Sequence, residues 1–159
     1  MATLYPLPDV ARVKSMLGMI FDALEVKLGG KVDLAPASSA YMAVFIADDG
    51  TPGAICACDV ALAANIASAL SMLPPAAAKE AAKARQLTKV MLDNLREVMN
   101  ICSRLLIDDG SPHLRLGQVY ERRALPAAAA SIITAAKGRV DFEIGVAKYG
   151  SGVMSVLSI

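Results

Sequence analysis

The stretch from Lys79 to Ile107, KEAAKARQLTKVMLDNLREVMNICSRLLI, is the longest run with a helical period and constrains the fold most. With Leu87 as zero and a step of about 100° per residue, Leu87, Met91, Leu95, Val98, Cys102, Leu105 and Leu106 share one arc. Asp93, Glu97 and Asn100 fall together on nearly the opposite side, at i, i+4 and i+7. A helix so patterned is anchored by its apolar side and holds three stacked polar side chains toward solvent. That is a surface constellation, and no pocket is implied.

The rest of the composition limits what can surround this helix. At 159 residues one domain spanning 1–159 is expected, with enough chain to bury a substantial core. Hydrophobic residues make up 55% and aromatics only 4%, so aliphatic side chains and methionine must do the packing. A net charge of +1, without a basic stripe interleaved with aromatics, gives no electrostatic case for nucleic acid. The N-terminal residues lack the basic start and unbroken apolar run of a signal peptide. No charge-free apolar stretch reaches the ~20 residues that span a bilayer. The Ala-rich run from Val60 to Ala78 is interrupted by Asn65, Ser68, Ser71 and Pro74-Pro75. Three cysteines leave one odd thiol, which argues against a disulfide framework. A soluble cytoplasmic protein, without membrane insertion, is the expectation.

Asp9 reads as the N-cap of a first helix, with Val10, Val13, Leu17, Ile20, Leu24 and Leu28 on its buried face. Gly18 within it suggests close packing, and Gly29-Gly30 stops it. Lys31 to Ala35 is a candidate short strand. Tyr41 to Ala47, the turn Asp48-Asp49-Gly50-Thr51-Pro52-Gly53, and Ala54 to Cys58 read as a hairpin. Asp59 stands at the N-cap of a helix from Val60 to Leu73, which Pro74-Pro75 ends. Leu114 to Arg123 is a candidate strand, and residues 127–137 fit a short helix or a strand equally by period. Val140, Phe142, Ile144 and Val146 alternate with Asp141, Glu143 and Gly145, a half-buried strand, and Val153 to Ile159 returns as the last. Runs of strands separated by helices predict an α+β fold with a largely antiparallel sheet packed with long helices.

Most polar clusters are explained by structure. Cys56 and Cys58 share one strand face, but there is no second cysteine pair and His113 is the only histidine; two small buried residues is the simpler reading. His113 has no nucleophile setting around it. Asp48-Asp49 and Asp108-Asp109 are turn residues without the ligand spacing of a calcium loop. Gly150-Ser151-Gly152 lies between strands and is no phosphate loop. Asn100 differs, because asparagine is a poor helix-interior residue, yet it sits well inside this one.

Asp93, Glu97 and Asn100, followed by Pro126, together with the order hairpin, helix, motif helix and strand-rich C-terminus, resemble the CheC/CheX family of chemotaxis phosphatases. The resemblance runs from about Val10 to the C-terminus. CheC-type members carry two copies of the motif; here Glu25 on the first predicted helix has no matching Asn, so the single copy is similar to the CheX type. The family usually has a small residue four positions after the Asn, where this chain has Arg104. Pro126 also stands a few residues later than the family's proline.

The resemblance implies hydrolysis of the aspartyl phosphate of a CheY-like receiver domain. Asn100 would position the attacking water, and Glu97 would pair with the receiver's active-site lysine. Asp93 would support the docking edge. By the helical wheel Arg104 shares the face of Asn100 and Glu97, where a long cation would either obstruct a docking partner or itself reach a phosphoryl group. The chain itself would bind no cofactor, the receiver supplying Mg²⁺. The family includes homodimers paired through the sheet, an arrangement that exposed C-terminal strands would permit. The alternative is a catalytically inactive interaction module binding a receiver or a flagellar switch protein. A small-molecule sensor is disfavoured, since no polar groups converge in the sequence.

Overall fold

The computed structural model describes residues 2–159. The chain forms α1 (Val10–Leu17), β1 (Glu25–Leu28), β2 (Tyr41–Ile46), β3 (Pro52–Cys58), α2 (Val60–Leu70), α3 (Pro75–Ala84) and α4 (Lys89–Cys102). A 3-10 turn (Ser103–Leu106) follows, then β4 (Arg115–Glu121), α5 (Ala127–Ala135), β5 (Gly138–Val146) and β6 (Gly150–Ser158). The six strands make one sheet in the order β1-β5-β6-β3-β2-β4, every neighbouring pair antiparallel. The α+β expectation is met. Among the described residues no helix is long and apolar enough to cross a membrane.

One face of the sheet carries the main core. Tyr41, Ala43, Phe45, Cys56, Phe142, Ile144 and Val156 meet Val13 and Leu17 of α1, Leu62 and Ile66 of α2, and Met91, Leu95 and Val98 of α4. The other face is covered only in part. There Met42, Val44, Ile55, Ala57 and Leu157 pack with Ala129 and Ile132 of α5 and with Val32. Burial on both faces explains why β2 and β3 read as unbroken apolar runs, whereas β5 alternates as expected.

Two predicted helices are cut short. The first ends at Leu17, where Gly18 is the C-cap and donates to Lys14 O at 2.8 Å, so this glycine terminates the helix and does not mark a close helix crossing. Its supposed last turn is instead β1, with Val26 opposite Ile144 and Leu28 64% exposed. The long helix from Lys79 is two helices. Gln86 N donates to Ala81 O and Arg85 N to Ala82 O, a Schellman closure of α3 with Arg85 left-handed at φ 56°, and Thr88 caps α4 anew. The apolar stripe nevertheless holds: Leu87, Met91, Leu95, Val98, Cys102, Leu105 and Leu106 are all buried.

Other boundaries follow from caps and pairing. Asp9 accepts from Arg12 N and Asp59 from Leu62 N, both as expected, and α2 stops at Leu70 before a left-handed Met72. Residues 31–35 form no strand; Val32 N is held by Ser155 Oγ at 3.1 Å in place of a ladder. Residues 127–135 are helical, with Pro126 at the N-cap. β5 and β6 are paired along both edges, so the C-terminal strands are interior and β1 and β4 are the free edges.

Candidate functional site

α4 owes its orientation to its own sequence. Thr88 Oγ1 accepts from Met91 N at 3.3 Å and starts the helix, and Met91, Leu95, Val98, Met99 and Cys102 fix the buried side. Asn94 then pins the helix to α2, its Nδ2 donating to Ala67 O at 2.9 Å and to Ser71 Oγ at 2.8 Å. The C-terminal end is held from α1. Arg12 Nη2 donates to Arg104 O at 2.6 Å and to Ile107 O at 2.7 Å, on either side of the 3-10 turn's end.

With the helix so fixed, Asp93, Glu97 and Asn100 are exposed. Asp93 is engaged with Arg96, Oδ1 to Nη1 at 3.2 Å, a solvated i,i+3 pair that contributes little to stability. Among the described residues, the side chains of Glu97 and Asn100 have no hydrogen-bond or ion-pair partner. Only the Asn100 main-chain oxygen is used, accepting from Ser103 Oγ at 2.7 Å. Arg104 is exposed and its guanidinium equally unpartnered, but it stands in the 3-10 turn after α4 and not on the α-helix itself.

Pro126 does not join this group. It borders a groove with Val44, Ile46 and Tyr120 on the sheet face that α5 covers, whereas α4 packs on the other face. The cysteines are buried core residues. Contact with Cys58 and burial push the Cys56 thiol well above its ordinary range, and burial does the same to Cys102, so these thiols are poor nucleophiles. Among the described residues no three His, Cys, Asp or Glu side chains converge as a metal site. His113 Nδ1 lies 2.7 Å from Asp48 Oδ1, joining the hairpin turn to the loop after the 3-10 turn across the surface.

The fold has solved counterparts. The chain is similar to the FliM–SpeE complex structure from H. pylori (TM-score 0.64, 12% identity, covering 94% of this chain and 80% of that one). It is similar to the FliG–FliM complex structure from H. pylori (TM-score 0.59, 13% identity, 94% and 85%). It is also similar to FliY from Thermotoga maritima (TM-score 0.51, 14% identity, 91% and 81%). No protein-family model and no curated protein matches the sequence. At such identities the likeness shows the fold alone, one shared with FliM and FliY.

Proposed function

We propose that the exposed face of α4 docks a phosphorylated CheY-like receiver domain and that Glu97 and Asn100 promote hydrolysis of its aspartyl phosphate. The observation that carries this reading is that both side chains are exposed and, among the described residues, unpartnered, on a helix whose rotation is set by buried residues and Asn94. One helical turn apart, they point the same way and can enter one partner's site together. Asn100 would hold a water in line with phosphorus through its amide. The water oxygen forms the new P–O bond, the acyl phosphate P–O bond breaks, and the receiver's aspartate leaves as carboxylate. Glu97 would accept from a lysine of the receiver and set the register, and any Mg²⁺ would be the receiver's. Such chemistry depends on positioning and charge neutralisation, which an asparagine and a glutamate on a rigid helix supply.

The test adds the purified chain to receivers carrying phosphate and follows phosphate loss. Acceleration with the unsubstituted chain, absent in Asn100→Ala at unchanged binding, is the expected result. No acceleration across several receivers would sink the proposal.

A second reading is a binding module without catalysis, engaging a receiver or a flagellar switch protein. Two observations favour it: the exposed Arg104 cation one turn beyond Asn100, and the solved complexes of FliM with FliG and with SpeE. Binding without phosphate loss, with activity appearing in Arg104→Gly, would select it.

A further inference from the structure

A polar cleft of about 630 Å³ opens between the start of α2 and the end of α3. Asp33, Ser39, Asp59, Arg85, Gln86 and Arg123 bring its polar groups, from four separate segments. Its charges are unevenly satisfied. Asp33 Oδ1 accepts from Ala35 N at 3.0 Å, and Asp59 Oδ1 from Leu62 N at 2.8 Å. Arg123 reaches Glu121 Oε1 only at 3.5 Å, and among the described residues the Arg85 guanidinium has no partner at all. Arg85 also occupies the left-handed position that closes α3, where glycine is the usual residue.

We propose that this cleft binds a small organic oxyanion, a phosphate ester or a carboxylate, gripped between Arg85 and Arg123. Two planar guanidinium forks match the paired oxygens of such a group, which a lysine pair would not. The volume lies within the roughly 300–1,000 Å³ of small-molecule sites and far exceeds that of a bare ion. The carboxylates of Asp33 and Asp59 have acceptor capacity left for hydroxyl or amino groups on the same ligand, with Ser39 and Gln86 beside them. The site shares none of its lining with Asp93, Glu97, Asn100 or Arg104, so it stands or falls apart from the phosphatase reading.

The full chain, labelled with ¹⁵N-arginine, is titrated at constant ionic strength with pyrophosphate and separately with citrate, following the arginine Nε–H signals. Saturable shifts of Arg85 and Arg123, with Arg96 and Arg115 unmoved, are expected from at least one anion. A preference for pyrophosphate assigns the phosphate class, and a preference for citrate the carboxylate class. Arg85→Gly suits the left-handed backbone, so it keeps the fold while weakening binding by about tenfold or more. No saturable shift with either anion at millimolar concentration, an equal response of all arginines, or unchanged affinity in Arg85→Gly would overturn the proposal.

Discussion

Asn94 of α4 and Ser71 beyond the end of α2 are joined by a 2.8 Å hydrogen bond, and the same amide donates to the Ala67 carbonyl at 2.9 Å. Asn100, two turns further along the helix, has no side-chain partner among the described residues. The two asparagines of one helix thus do opposite things: one locks the rotation of α4, and the other is presented by it.

Stability should separate them. Asn94→Ala removes two hydrogen bonds between helices and is expected to cost about 1–2 kcal/mol. Asn100→Ala removes none and adds helix propensity, so it should stay within about 0.5 kcal/mol of the unsubstituted chain. Urea denaturation of the two variants checks this, and a large loss in Asn100→Ala would mark it as a structural residue.

Arg12 should behave as a clamp whose geometry matters as much as its charge. Its one Nη2 serves both Arg104 O and Ile107 O, tying α1 to the end of the 3-10 turn. Arg12→Ala is expected to cost about 1.5–3 kcal/mol, the range for hydrogen bonds from a charged donor. Arg12→Lys should recover only part of that, because an ammonium is more strongly hydrated than a guanidinium and its nitrogen falls short of the Nη2 position. Hydrogen exchange of the amides from Ser103 to Ile107 would show the turn loosening in both.

Much of this fold is legible in local pattern. Asp9 and Asp59 announce their helices because a carboxylate N-cap acts within three residues, and the β2–β3 hairpin announces itself through its turn residues. The misreadings arise where period and termination conflict. Ile20, Leu24 and Leu28 continue the spacing of α1, yet Gly18 ends the helix and the segment pairs with β5 instead. Arg85 ends α3 in a conformation that glycine would have advertised and arginine does not. The α4 face was visible because all its members lie on one helix. The Arg85–Arg123 cleft is not, since its parts come from four separate segments that only the tertiary fold brings together. Asn94 and Arg12 are silent in sequence for the same reason.

Gly152 marks where β6 meets the first turn of α2. A Cβ placed there would stand 2.5 Å from both the main-chain nitrogen and the Cβ of Leu62 and 2.6 Å from its Cα, none of which can swing away. Gly152→Ala should therefore force the helix off the sheet, at about 3 kcal/mol or more. Gly50 offers a control, since it has φ +86° but open space around it. Gly50→Ala should cost only the left-handed backbone penalty of about 1–2 kcal/mol. Thermal and urea unfolding of the pair separates steric clash from backbone strain.

Asp59 makes the last expectation one of pH. Burial raises its carboxyl pKa above the ordinary 3.8, outweighing the opposing main-chain donors at Leu62 and Val153. In the folded chain this group therefore takes up its proton at a higher pH than in the unfolded chain. As pH falls from neutral through the folded pKa, the folded state binds the extra proton and this group's contribution to stability grows; as pH rises, that contribution is lost. Asp59→Asn keeps an N-cap acceptor for Leu62 N while abolishing the charge. The variant should be as stable as the unsubstituted chain or more so at pH 7, and its advantage should shrink as the solution is acidified toward pH ~4. Urea midpoints of the two proteins, measured side by side across that range, give the difference directly. An advantage that instead grows on acidification would mean that the Asp59 carboxylate is stabilised by the fold and not penalised by it.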